Sequence, residues 1–224
     1  GQPVGVEQLA AAFLRLQGEG ANNINLVTPT HFVPQIAAAL RMAKRAGLRI
    51  PVVYNTGSYE RVETIRLLEG LVDIYLPDLK YWSPESAERY SHAPDYFETA
   101  SEAIAEMVRQ APEAIFEERE DGTVLMKRGV IVRHLMLPGL GMDSRKVLRY
   151  LHETYGNRIY ISIMNQYTPM RNFESFPELN RRVGRKAYER LVDFAIRIGI
   201  ENGFIQEGGT AEESFVPLWD GTGL

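Results

Sequence analysis

The chain has 224 residues and a net charge of −4, and 45% of its residues are hydrophobic, enough for one sizeable core. No apolar run approaches the ~20 residues of a membrane span, no basic block suggests a nucleic-acid footprint, and 19 Gly and 12 Pro exclude fibrous and low-complexity classes. There is no cysteine, which excludes disulfides, thiol nucleophiles and any cysteine-ligated iron–sulfur cluster held by this chain. The chain begins without Met and without a cleavable signal. A fragment or processed product, located in the cytoplasm, is therefore expected.

Residues 6–17 place Leu9, Phe13 and Leu16 at helical spacing. A short buried strand follows at 23–29, then a helix at 32–47 with Pro34 in its first turn and Gly47 as its stop. Residues 50–55 read as a strand, 61–71 as a helix and 72–77 as a strand. A helical stretch covers 84–110, broken near Pro94. Residues 112–128 are polar and acidic and read as an excursion with a turn at Asp121-Gly122, its carboxylates Glu117, Glu118, Glu120 and Asp121 solvated. A fourth strand is expected at 129–139 and a helix at 143–156, with Asp143 or Ser144 as N-cap and Gly156 as its end. A strand at 158–166, a helix at 184–199 and a short strand at 203–207 follow, and the tail 208–224 has no pattern.

Strand–helix alternation implies parallel strands joined by right-handed crossovers, in a barrel or a doubly wound sheet. The strands are rich in Val and Ile without clean alternation, as expected when both faces are covered. No G-x-G-x-x-G follows the first strand and no P-loop is present, which weakens dinucleotide and nucleoside-triphosphate readings.

Polar residues recur at the strands' carboxyl ends, where barrels place their sites. These are Thr28, Thr30 and His31, then Asn55 and Thr56, Asp78 and Lys80, Arg133 and His134, Asn165, Gln166 and Tyr167, and finally Gln206 and Glu207. Thr30 either caps the following helix or shares its free N–H groups with a bound anion. Asp78 and Lys80, two apart on an extended segment, leave on the same side. They are either a surface ion pair or a pair fit for a zwitterionic ligand. Arg133 lies between Val132 and His134 in a strand expected to be buried, so it or His134 must meet a partner or an anionic ligand. His92 and His152 lie on polar helical segments and are expected to be solvated, and no His spacing suggests zinc. Trp82 and Trp219 read as packing residues.

The segments NINLVTPTHFVPQI (23–36), VVYNTGSYE (52–60), DIYLPDLKY (73–81), RGVIVRHLMLPG (128–139), MNQYTP (164–169), PELNRR (177–182) and ENGFIQE (201–207) resemble, in order and spacing, the radical S-adenosylmethionine (SAM) proteins related to pyruvate formate-lyase activating enzyme. The resemblance runs from about residue 6 to about 217. It implies an α/β fold, a partial parallel (β/α) barrel of radical SAM type lacking its first strand. That fold would fill a single domain over 1–224 with an irregular tail. It also implies a 4Fe-4S cluster on a three-cysteine loop and SAM bound to it. The 5′-deoxyadenosyl radical then abstracts hydrogen from a protein partner, in the activating enzymes from a glycine, with a separate electron donor. Neither a nucleic acid nor a membrane is implied as partner.

By position, the resemblance sets Thr28, Pro29, Thr30 and His31 where relatives contact the SAM amino group. Asn55 and Thr56 fall near its methionine or ribose moiety, Asp78 and Lys80 match a D-x-K segment placed against SAM, Arg133 is a polar contact, and Met164, Asn165 and Gln166 lie near the adenine. Two departures stand out. Relatives read Y-N-T-S-G-Y where this chain has Tyr54-Asn55-Thr56-Gly57-Ser58-Tyr59, which is expected to move both the hydroxyl and the permissive φ by one position. The cysteine motif is also absent, and truncation that removed the first strand and the cluster loop is the preferred account, with a cysteine-free paralogue as the alternative. The chain is then inactive as it stands, it binds SAM only weakly, and strand 23–29 is an edge. Two other functions fit the residues: a clusterless barrel that binds a nucleoside or peptide, and a lyase or aldolase with Lys80 as Schiff-base nucleophile.

Overall fold

The computed structural model describes residues 3–205. Gln206, Glu207, Trp219 and the tail 208–224 lie outside the described residues. The elements in order are α1 (Val6–Gly18), β1 (Ile24–Val27), α2 (Val33–Arg45), β2 (Val52–Thr56), α3 (Val62–Arg66), β3 (Ile74–Pro77), α4 (Pro84–Ser91), α5 (Tyr96–Gln110), β4 (Ile115–Glu118), β5 (Val124–Leu135), α6 (Gly141–Tyr155), β6 (Tyr160–Met164), α7 (Arg185–Arg197) and β7 (Gly203–Ile205). The strand order is β1-β2-β3-β5-β6-β7, with every pair in that path parallel and β4 antiparallel on β5. No helix among the described residues is long and apolar enough to cross a membrane.

The chain divides into two compact units. Among the described residues, the first contains 3–77 and 102–130. Its strands β1, β2 and β3 and the first part of β5 run in register, with Val27 opposite Asn55, Asn55 opposite Leu76, and Tyr75 opposite Val130. Leu40, Tyr54, Ile65, Leu68, Tyr75 and Met107 are fully buried, covering both faces as the unalternating apolar strands require. Among the described residues β1 pairs with β2 alone, and its Val27 is 61% exposed. Glu106 of α5 donates none of its burial cheaply: Arg109 binds both its oxygens at 2.7 and 3.0 Å, which holds its carboxyl down at about 2 against burial. Gln110 ties α5 to α3 through the Ile65 carbonyl at 3.1 Å and accepts from the Tyr75 phenol.

The acidic stretch, expected as an excursion with a turn at Asp121-Gly122, forms a paired hairpin. The turn forms at Asp121-Gly122, where Gly122 takes φ 79° and Asp121 accepts from the Thr123 N–H at 2.9 Å. Its flanks pair as a hairpin, so β5 begins at Val124 rather than at residue 129. A two-stranded ribbon needs no buried face, and β4 is exposed throughout, so its carboxylates do not prevent pairing. Helix α3 is also shorter than the expected 61–71, because the chain tightens after Arg66 into successive turns that end at Gly70 with φ 73°.

Among the described residues, the second unit contains 78–101 and 131–205. Here the second part of β5 pairs with β6 and β6 with β7, and Leu79, Val132, Leu148, Leu151 and Ile161 are fully buried. Trp82 packs on Phe97 at 4.5 Å and on Tyr150 at 6.2 Å, the packing role expected of it. Neither Asp143 nor Ser144 caps α6; the cap position is Leu140 and the helix starts at Gly141. The Asp143 carboxylate instead accepts from the Trp82 and Ser83 N–H groups at 2.8 and 2.9 Å and holds the turn before α4. His152 is half-buried with its Nδ1 enclosed, not solvated, whereas the His92 side chain is 85% exposed.

Candidate functional site

In the first unit, Thr28, Pro29, Thr30 and His31 follow β1, and Asn55 and Thr56 close β2. The Thr28 N–H bonds the Asn55 carbonyl at 2.9 Å, which joins the two strand ends. Thr28 has φ 51° and Ser58 φ 66°, two non-glycine residues in the left-handed region at neighbouring strand ends. The expected shift of the permissive φ does not occur: the left-handed backbone is at position 58, which carries Ser, and not at Gly57. No side chain caps α2, so Thr30 does not serve as its cap. Thr30 is half-buried and offers a hydrogen bond to the Tyr54 phenol, while Thr28 and His31 are exposed.

Sequence reasoning missed Glu60. It is 5% exposed and accepts from the Tyr54 hydroxyl at 2.7 Å and from the Thr56 hydroxyl. Burial first, and then the Glu60 charge, raise the Tyr54 phenol far above its ordinary range. The Ser58 N–H bonds the Thr56 hydroxyl at 3.1 Å, and the Ser58 hydroxyl is buried without a partner. This group is closed and hydrogen-bonded within itself.

In the second unit, Asp78, Lys80 and Arg133 come together. Asp78 forms a parallel bridge with Arg133, which continues the β3–β5 register. Arg133 reaches one Asp78 oxygen twice, through Nε at 2.8 Å and a terminal nitrogen at 2.7 Å. Lys80 stands 3.8 Å from the other oxygen, close enough to be attracted and too far for a hydrogen bond. The Asp78 side chain is 18% exposed, Arg133 24% and Lys80 44%, so the group opens to solvent through Lys80. One carboxylate and two cations suit a ligand with both an anionic group and a hydroxyl or ammonium.

Tyr96, also missed, pins this segment. Its phenol donates to the Asp78 carbonyl at 2.9 Å and accepts from the Lys80 N–H at 3.1 Å, and burial raises it well beyond its ordinary range. His134 points away from Arg133, as strand alternation demands. It is buried, donates Nδ1–H to the Leu79 carbonyl at 2.7 Å, and burial pushes its pKa below 6.5. Met164 is buried at the end of β6, Asn165 is half-buried and Gln166 exposed, with the Gln166 amide 3.9 Å from the Met164 sulfur.

No family model matches the chain. A domain of pyruvate-formate lyase-activating enzyme from Bacteroides vulgatus superposes with a TM-score of 0.58 at 12% identity, over 84% of this chain and 99% of that one. This chain shares the fold of that domain. It is the α/β fold of radical SAM type that the sequence resemblance implies. Streptococcus suis SuiB superposes with a TM-score of 0.54 at 10% identity, over 92% of this chain and 44% of its own. In sequence, the protein MJ0674 of Methanocaldococcus jannaschii, itself described as uncharacterized, is 26% identical over 194 residues. That match covers 85% of this chain, which spans about half (51%) of the length of that curated relative.

An iron–sulfur cluster does not fit the residues present. The chain has no cysteine, and among the described residues no group of three or more His, Asp or Glu is placed to hold a metal ion. The Asp78, Lys80 and Arg133 group does suit the charged and hydroxyl groups of SAM.

Proposed function

We propose that this chain is the SAM-binding body of a radical SAM protein of activating-enzyme type, which acts on a protein partner and takes its electron from a separate donor. The observation that carries this reading is the Asp78–Arg133–Lys80 group, set just past β3 and within β5 in a fold shared with an activating-enzyme domain. SAM, once bound, supplies the adenosyl group that such proteins use to abstract hydrogen. The residues of this chain bind and orient it. Lys80 attracts the methionine carboxylate, Asp78 accepts from a ribose hydroxyl or the ammonium, and Arg133 holds the Asp78 side chain in place. Cluster ligands would come from residues outside this chain.

Calorimetric titration with SAM tests this. A dissociation constant between about 10 μM and about 1 mM is expected, because charge-assisted contacts remain while chelation by iron is missing. Asp78→Ala and Lys80→Ala should each weaken it while the fold persists, and Glu118→Ala, on the exposed β4, should change nothing. Heat exchange identical in wild type and both variants would sink the proposal.

The lack of cysteine favours a second reading, a clusterless module for a nucleoside. Adenosine binding as tightly as SAM, and insensitive to Lys80→Ala, would select it. A Schiff-base lyase has no such support. Nucleophilic lysines are activated by desolvation, whereas the Lys80 side chain is 44% exposed and lies beside a carboxylate.

A further inference from the structure

Arginines of the second unit fall into two sets. Arg89, Arg133 and Arg185 have carboxylate partners at 2.8, 2.7 and 2.7 Å. Among the described residues, Arg149, Arg158, Arg171 and Arg197 form no ion pair, and neither do Arg145, Arg181, Arg182 and Arg190. The last four line two adjoining cavities, which share Met136, Gly139 and Ala187. One, of about 340 Å³, carries Arg145 and Arg190; the other, of about 320 Å³, carries Arg181 and Arg182. Among the described residues, no carboxylate lines either cavity. Four arginines with no ion pair among the described residues thus line cavities that share Gly139.

The local fold adds to that positive character. Gly139, at φ 85°, turns the chain after Pro138 into α6. Gly141 opens α6 and Gly184 precedes α7; both line the cavities, and neither helix has a side-chain cap. The first turn of α7 holds no acid, and the one acid in the first turn of α6, Asp143, is spent on the Trp82 and Ser83 N–H groups. Arg145 is positioned by an aromatic face rather than a counter-ion, with its guanidinium 5.4 Å from the Phe194 ring centre. A guanidinium held this way keeps its N–H fork available for phosphate oxygens.

We propose that this double cavity binds a small molecule carrying a diphosphate or two phosphoryl groups, one anionic group in each lobe. Each lobe has the size of a small-ligand pocket and an arginine pair. The site is distinct from the Asp78–Arg133–Lys80 group and does not depend on the function proposed for it.

Pyrophosphate is the probe. Calorimetry at low salt should show one site per chain that weakens steeply as sodium chloride is added. Arg145→Gln with Arg190→Gln, and separately Arg181→Gln with Arg182→Gln, should each weaken binding at least about tenfold, because each pair removes charge-assisted hydrogen bonds. Lys146→Gln, on α6 outside both linings, should leave it unchanged. Arg145 also packs on Phe194, so Arg190→Gln alone, at an exposed position without that contact, serves as the fold-neutral variant and should weaken binding with an unchanged melting curve. Orthophosphate binding as tightly as pyrophosphate would overturn the two-lobed assignment. An equal loss in Lys146→Gln, or a glutamate-rich peptide outcompeting pyrophosphate, would overturn the ligand class.

Discussion

Glu60 and Asp78 are both carboxylates placed beyond the carboxyl ends of parallel strands, and they differ in what surrounds them. Glu60 is 5% exposed, and it accepts hydrogen bonds from the neutral hydroxyls of Tyr54 and Thr56. Asp78 is 18% exposed and faces two cations, Arg133 and Lys80, the second of them open to solvent. A buried carboxylate satisfied by hydroxyls from its own strand fixes the path of the loop after β2. A half-open carboxylate with an excess of positive charge leaves attraction to spare for a ligand. Position at a strand end therefore does not distinguish a supporting residue from a binding one; burial and the charge of the partners do.

The largest effect expected from that contrast is on stability. Glu60→Ala leaves two buried hydroxyls without an acceptor and should cost about 3 kcal/mol in denaturant unfolding. Arg133→Ala should cost about 2 kcal/mol, since its pair with Asp78 is only partly buried. The double variant with Asp78→Asn should recover part of that loss, as a double-mutant cycle would show. If Arg133→Ala proved the more costly change, the contrast between the two carboxylates would be wrong.

His134 gives the third effect, through pH. Burial depresses its pKa in the folded state below 6.5, so the unfolded chain binds the proton more readily. The stability tied to neutral His134 is complete above pH 6.5 and falls as the pH drops below it. The slope is at most about 1.4 kcal/mol per pH unit. Unfolding curves at pH 7.5 and 5.5 should show this, and His134→Leu should flatten its part of the slope whatever the variant's overall stability. Glu106 acts in the same direction at lower pH, losing its contribution between 4.5 and about 2.

Ser58→Gly should stabilise by about 1 kcal/mol, seen as a raised melting temperature. It relieves φ 66° in a residue with a Cβ and removes a buried hydroxyl that has no partner. Lys80→Ala should be smallest in stability, below about 0.5 kcal/mol, since the ion pair is 3.8 Å long and exposed. Its effect belongs in ligand binding, so a large stability loss there would blur the distinction from Glu60.

Sequence alone determined the β/α alternation, the parallel strands and the joint placement of Asp78 and Lys80, because helical period and two-residue alternation are local properties of the chain. It also marked Arg133 as a charge needing a partner. That the partner is Asp78, 55 positions earlier, was decided by the β3–β5 register, and a slip of one residue would have turned Arg133 to the opposite face. The same holds for Tyr96 beneath the Asp78–Lys80 segment, Asp143 holding the Trp82–Ser83 turn, and Glu60 under Tyr54. Tyr96 and Asp143 lie on the buried faces of their helices, where the helical period marks burial but not the partner. The hairpin at 115–128 escaped notice because exposed pairing leaves no apolar signature, and the left-handed backbone at Ser58 because a steric cost at one residue is repaid only by the packing of the fold around it.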